Sequence, residues 1–327
     1  MGERLALVGL AEIRAAAERI AGRVVRTPLV PAPWADHDPS RPLWLKPENL
    51  QVTGAFKIRG ALNAVGTLDE AERARGIVTH SSGNHAQAVA MASRWYGAKA
   101  YVVMPDTSPP VKVAASRALG GEVILVPPAE RESRVAELVA AHGYAYVPPF
   151  DDPRIIAGQG TIGLEIIADL PEVATVLVPV GGGGLVSGVA TAVKALRPGV
   201  RVVACEPELA GDVAESVRVG ERRTWPVERT YQTIADALRV CVGELAWEHI
   251  RARVDAVLTV SDDAIRAAVG AVATRSRLVA EPGGAVATAA YVTHAAELPP
   301  GPVVAVVSGG NIEPGLLANL VDAAGSG

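Results

Sequence analysis

Residues 173–196 read VATVLVPVGGGGLVSGVATAVKAL. Positions 174–193 carry no charge, and an uncharged run of this length raises the question of a membrane span. Pro179 and the glycines Gly181, Gly182, Gly183 and Gly184 break the run in its middle. A strand, a tight turn and a helix account for it better, which puts the chain in the α/β class. Four successive glycines let backbone N–H groups turn toward one point, and the following helix adds partial positive charge at its N-terminus. Such a place binds anions. The motif is not a Walker loop, since no Gly-Lys-Ser/Thr follows, and it lacks GxGxxG spacing. A plain βα turn is the alternative, although it leaves unexplained why all four positions lack a side chain.

The same alternation extends in both directions. Strands are expected over 42–46, 77–80, 100–104, 122–126, 145–147, 176–180, 202–205, 257–259 and 303–307, with helices between most of them. Strands alternating with helices imply βαβ units and open parallel sheets. The pattern changes after Pro148-Pro149: 151–160 reads as irregular, with a helix beginning only at 161. The expected organisation is therefore two open parallel-sheet α/β domains. Residues 1–75 and 153–327 would form the larger and 76–152 an inserted smaller one, with a ligand in the cleft between them. Residues 221–228 read as a loop or hairpin. The closing helix, 316–323, leaves no room for a C-terminal regulatory domain.

Bulk properties narrow the function. The 327 residues are 49% hydrophobic but only 4% aromatic, and the net charge of −4 argues against a nucleic-acid surface. Two cysteines, Cys205 and Cys241, make neither a disulfide framework nor a zinc site, so a cytoplasmic protein is expected. Glu3, Arg4, Glu12 and Arg14 interrupt the first helix, which is not a signal peptide. No membrane partner is expected.

Four clusters, three of them glycine-bearing, each follow an expected strand: Ser81-Ser82-Gly83-Asn84-His85, the 181–184 loop, Glu206-Pro207 and Ser308-Gly309-Gly310-Asn311. Ligands of open α/β sheets bind outside the carboxyl ends of the strands, so all four are expected to line one cleft. Residues 81–85 open a helix and offer N–H donors suited to a carboxylate, or else simply cap that helix. Residues 45–61 read LKPENLQVTGAFKIRGA. Gly54 permits a sharp turn, and Lys57 follows Phe56 at the start of an apolar-patterned helix. A lysine in apolar surroundings loses proton affinity and becomes a usable nucleophile, whereas a lone lysine at a helix start is ordinarily solvated.

The 45–61 stretch resembles the cofactor-lysine segment of pyridoxal-phosphate enzymes of the tryptophan-synthase-β type (fold type II). The resemblance is nearest to the threonine/serine dehydratase and serine racemase group, and it runs from about Arg26 to Asn311. It implies that Lys57 forms the Schiff base with pyridoxal 5'-phosphate, with Phe56 beside it. It makes PVGGGGLVSG the cofactor-phosphate loop and puts Asn84 on the cofactor's ring oxygen. Residues Ser81, Ser82, Gly83, Asn84 and His85 would hold the substrate carboxylate, His85 in a structural role. Ser82 matches the acid/base that racemases use opposite the lysine, and many dehydratases have alanine there. Ser308 would face the pyridine nitrogen, where a hydroxyl makes the ring a weaker electron sink than a carboxylate would. Glu281-Pro282-Gly283-Gly284 resembles a segment bordering the ring. Glu206, the carbonyl of Ala210 and Asp212 match a divalent-cation site of the racemase branch, suited to Mg2+ or Ca2+; solvated acids are the alternative. The group usually reads ADG where this chain has Ala235-Asp236-Ala237, which bears on substrate range.

The implied activity is a threonine/serine ammonia-lyase (dehydratase) acting on a small amino acid, in a homodimer. Serine racemase and 3-hydroxyaspartate ammonia-lyase are the alternatives within the family. A non-catalytic ligand-binding protein is the alternative outside it.

Overall fold

The computed structural model describes residues 5–35, 38–81, 83–108 and 110–325. Its strands are β1 (Val30–Pro31), β2 (Leu43–Pro47), β3 (Ile77–His80), β4 (Ala100–Pro105), β5 (Gly121–Val126), β6 (Ala145–Tyr146), β7 (Thr175–Pro179), β8 (Arg201–Pro207), β9 (Ala256–Val260) and β10 (Val303–Val307). They form a six-stranded sheet, ordered β1-β2-β10-β7-β8-β9, and a four-stranded sheet, ordered β5-β4-β3-β6. Only β1 runs antiparallel to its neighbour; the remaining pairs are parallel. The strands of the smaller sheet all lie between residues 77 and 146.

Strands buried on both faces read as continuous apolar runs, as VVAVV in β10 does. Val303, Ala305 and Val307 pack into one core under helix Pro282–His294. Val304 and Val306 pack into the opposite core under helix Gly184–Leu196. Among the described residues, no helix is long and apolar enough to cross a membrane.

Three features depart from the sequence expectation. Residues 151–160 are not irregular: helix Pro153–Asp169 starts there, with Asp152 as N-cap accepting from Arg154 N at 2.7 Å and proline at its first position. Its glycines mark close helix packing. A Cβ on Gly158 would lie 2.6 Å from the Arg59 carbonyl, and one on Gly160 would lie 2.9 Å from that of Gly188. Strand β1 was not anticipated, being only two residues long. Helix Glu244–Arg253 was also missed. Its first turn is capped from far along the chain by Asp151, which accepts from Glu244 N and Ala246 N at 2.9 Å each.

A buried cluster of four charges sits where helix Lys57–Thr67 leaves the larger sheet. Arg59 donates to Glu48 through Nε (2.7 Å) and Nη2 (2.9 Å), and to Glu165 through Nη1 (2.7 Å) and Nη2 (2.9 Å). Lys46 donates to Glu165 and to the Thr27 carbonyl, each at 2.6 Å. Burial alone would raise the Glu48 carboxyl, but the Arg59 guanidinium overrides it and holds the group below its ordinary 4.5. Glu48→Gln should destabilise the protein by about 3–5 kcal/mol in urea unfolding at neutral pH, because it leaves a buried guanidinium underpaired. With the folded-state value depressed, this contribution is present above pH 4.5 and is lost as pH falls through the folded-state pKa. A variant with wild-type stability at neutral pH would refute the account.

Candidate active site

The carboxyl ends of β2, β3, β7 and β10 converge on one cavity of about 360 Å3. Gly54, at φ +70, turns the chain after β2, and Ala55 bridges to Gly309. Phe56 N donates to the Ser308 carbonyl at 3.0 Å, so the start of the next helix is tied to the end of β10. Lys57 is thereby presented to the cavity, partly buried. Its Nζ donates to the Pro149 carbonyl at 2.6 Å and stands 5.1 Å from the centre of the Phe56 ring. Burial lowers its pKa to about 8, against the opposing attraction of Glu281.

The 181–184 loop forms another wall, leading into helix Gly184–Leu196. Each glycine there has its own steric reason. Gly183 alone has a positive φ, +90, and a Cβ would meet Ala246 at 2.7 Å. A Cβ on Gly182 would lie 2.3 Å from the Phe150 ring, and one on Gly184 2.8 Å from the Phe150 carbonyl. A Cβ on Gly181 would lie 3.0 Å from the Leu238 backbone. The loop is therefore a surface against which residues 150, 238 and 246 close, and its four glycines line the cavity where the helix begins.

Ser81, Gly83, Asn84, His85, Phe56, the four loop glycines and Ser308 all line the cavity with Lys57. Ser82 lies outside the described residues. Burial, reinforced by the Lys57 charge, lowers the His85 pKa to about 3, so its ring is neutral. Its Nε2 lies 3.1 Å from the Val147 carbonyl, which can only accept, so Nε2 carries the hydrogen. Ser308 is buried, its hydroxyl at the edge of hydrogen-bond range from the Gly283 carbonyl, 3.5 Å away.

The Glu206-Pro207 cluster does not line the cavity, contrary to expectation. Glu206 instead turns onto helix Asp212–Val219, accepting from Val213 N (3.2 Å) and Ala214 N (2.6 Å). Asp212 accepts from Val242 N at 2.9 Å. Neither acid is solvated: both are buried, as is Ala210, and burial raises both carboxyls, that of Asp212 to about 6. Among the described residues no group of three or more His, Cys, Asp or Glu side chains is arranged to hold a metal.

Several lining residues were not among the expected site residues. Lys112 and Asp236 pair across the cavity mouth, and Pro149 and Phe150 meet Lys57 and the glycine loop. Glu281, flagged only as part of its segment, is buried and accepts from Asn84 Nδ2 at 2.5 Å. Burial and repulsion from Asp236 raise it to about 7, against the Asn84 hydrogen bond and the Lys112 and Lys57 charges. Ala237 also lines the cavity, and its methyl lies 3.1 Å from where a Gly283 side chain would begin.

A cavity of this size, within the roughly 300–1,000 Å3 of small-ligand sites, pairs an amine of lowered pKa with a helix N-terminus free of side chains. These are the parts that an aldehyde carrying a phosphate requires. Comparison with known proteins agrees. Residues 20–309 match the family model described as "Pyridoxal-phosphate dependent enzyme", and the chain belongs to this family. Its cofactor is pyridoxal phosphate. The chain is 40% identical to the L-threonine dehydratase catabolic TdcB of Escherichia coli (strain K12) over 311 residues, 94% of each chain. It is also 40% identical to the serine racemase of Oryza sativa subsp. indica over 312 residues, 93% of this chain and 91% of that one. Among solved structures, a threonine deaminase from T.th. superposes with a TM-score of 0.87 at 42% identity, covering 93% of this chain and 99% of the other.

The lowered pKa gives a direct test. In cofactor-free protein, trapping of added pyridoxal phosphate on Lys57 by borohydride should accelerate as pH rises, with a midpoint near 8. A midpoint near the ordinary 10.5 would show a solvated lysine.

Proposed function

We propose that the chain is a pyridoxal-phosphate-dependent threonine/serine ammonia-lyase. The observation that carries this is the pairing of Lys57 with the 181–184 loop across one cavity in which the side chain that follows β10 is a hydroxyl, Ser308, rather than a carboxylate. The match to threonine dehydratase and threonine deaminase over more than nine-tenths of the chain supports it.

In this reading Lys57 holds the cofactor's aldehyde carbon, the loop amides its phosphate, Asn84 its ring oxygen and Ser308 its ring nitrogen. Bound there, pyridoxal phosphate supplies the electron sink for negative charge at the substrate's α-carbon. The N–H groups at the start of helix Asn84–Trp95 receive the substrate carboxylate. Nζ of Lys57, freed by the incoming amine, takes the α-proton; a pKa near 8 leaves it neutral often enough to act as a base near pH 7. The β-hydroxyl gains a proton, which balances the one taken by Lys57, and leaves as water; hydrolysis of the released enamine gives a 2-oxo acid and ammonia. Threonine yields 2-oxobutanoate and serine pyruvate. We take residues 76–152 as the substrate-side domain, which the four-stranded sheet within them supports. We place the enzyme in the cytoplasm, where the free thiols of Cys205 and Cys241 stay reduced. For the assembly we propose a homodimer, since exposed Val25, Leu50, Val52 and Val279 lie on loops hydrogen-bonded to one another.

A panel of β-hydroxy amino acids scored for 2-oxo acid and ammonia tests the reading; no turnover of threonine or serine refutes it. Lys57→Ala should lower turnover by roughly 100- to 10,000-fold or more. Serine racemisation is the second reading, favoured by Ser82 and by the rice relative. Ser82→Ala should abolish D-serine formation while leaving 2-oxo acid formation in place; equal loss of both would tie Ser82 to elimination. A cation at Glu206, Ala210 and Asp212 would relieve the repulsion between two buried carboxyls, and a rate unchanged by chelator would argue against it.

A further inference from the structure

Four chain segments knot together behind the cavity, and Asn311 stands at their centre. Its Nδ2 spends both hydrogens inside the knot, one on the Thr53 carbonyl (2.9 Å) and one on Asn84 Oδ1 (2.7 Å). A main-chain carbonyl can only accept, so the Asn311 amide has one permitted orientation. That orientation dictates the next: Asn84 must present Oδ1 to Asn311 and therefore Nδ2 to Glu281, 2.5 Å away. Donation runs outward from Asn311, to the Thr53 carbonyl on one side and through Asn84 to the Glu281 carboxylate on the other. The surrounding backbone leaves no slack. Gly310 N donates to the Gly54 carbonyl (2.9 Å), and Glu281 N to the Gly309 carbonyl (3.0 Å). A Cβ on Gly54 would lie 2.5 Å from Asn311 Oδ1, so even a methyl there would displace the amide.

Asn84 Nδ2 carries a second hydrogen, and among the described residues no acceptor takes it. Asn84 lines the cavity. We propose that Asn311 is a positioning residue: by claiming Asn84 Oδ1, it keeps the Asn84 NH2 as the donor offered to the cofactor's ring oxygen, with Glu281 holding the other hydrogen of that group. The inference rests on the reading of Asn84 given above and extends it to a residue that touches neither cofactor nor substrate.

The test is the visible spectrum of the loaded enzyme, which reports where the proton near the ring oxygen resides, together with the pH dependence of that spectrum. Asn311→Asp sets a carboxylate against two oxygens, and the Asn84 amide turns over to donate to it. The ring oxygen then loses its donor. The expected result is a roughly tenfold or larger change in the ratio of the two visible bands at fixed pH, the scale of one lost hydrogen bond to a charged acceptor. Asn311→Ala frees the amide without reversing it and should give a smaller change in the same direction. Thermal melting of the cofactor-free proteins checks that both variants fold, and borohydride trapping checks that the cofactor is on Lys57. A loaded Asn311→Asp enzyme with the wild-type spectrum and pH dependence overturns the proposal. Should that variant not fold or not load, Asn311→Ala decides on the same readout. Failure of both to load while wild type loads marks Asn311 as merely structural, which also overturns it. Failure of wild type itself to trap cofactor on Lys57 is a different result and removes the underlying reading of the site.

Discussion

The structure depends on a guanidinium buried two residues beyond the cavity lysine, Lys57. Arg59 has no water to fall back on, so Glu48 and Glu165 must both be in place before its charge is tolerable. Glu48 follows β2, Glu165 lies on helix Pro153–Asp169, and Lys46 closes the ring from β2 itself. A partly formed cluster is worse than none, so the first turn of helix Lys57–Thr67 is held to the larger sheet in one arrangement. Lys57 cannot drift from β10 and Ser308 without pulling Arg59 from its partners.

What the charge cluster does from behind, residues 149–152 do from the front. The Pro149 carbonyl takes the Lys57 amine, and Phe150 packs on Gly182 and Gly184. Asp151 caps helix Glu244–Arg253 and Asp152 caps helix Pro153–Asp169. Four consecutive residues thus join the lysine, the glycine loop and two helices. The stretch links the smaller sheet back to the larger, which explains why no regular element occupies it: each residue serves a partner in a different direction.

Most of this architecture was legible where a residue's own chemistry announces its environment. The apolar strands, the turn between strand and helix at the glycine quartet and the helix start after Gly54 match expectation because each pattern is local. The failures share one cause, which is that the partner lies far along the chain. Helix Glu244–Arg253 was invisible because its cap comes from Asp151. The glycines of helix Pro153–Asp169 looked like turn residues because the backbone they accommodate belongs to helices Lys57–Thr67 and Gly184–Leu196. Even the quartet was read for an incomplete reason, since only Gly183 needs its backbone freedom and the others make room for neighbours. Glu206 went wrong in the opposite direction: position after a strand put it in the cleft, but a neighbouring helix offered two free N–H groups and captured it. Pro149 and Lys112 carry their meaning only through contacts that fold-level reasoning does not supply, and Asp236 and Asn311 stand out only as members of their segments until their partners are seen.

The titratable groups of the cavity follow from the same burial. Taking the site out of water lowers Lys57 toward 8, raises Glu281 toward 7 and keeps His85 neutral. These shifts are coupled. A fully ionised Glu281 would stabilise the ammonium of Lys57 and raise its pKa, weakening the nucleophile; burial keeps Glu281 partly protonated at neutral pH and so limits that attraction. Asn84 works against this by stabilising the carboxylate. The amine's availability near pH 7 is therefore a balance between desolvation, which favours the neutral forms of both groups, and one hydrogen bond that favours the charged form of the acid. A cavity opened to water would lose that balance even with every side chain still present, because each group would return to its ordinary ionised state.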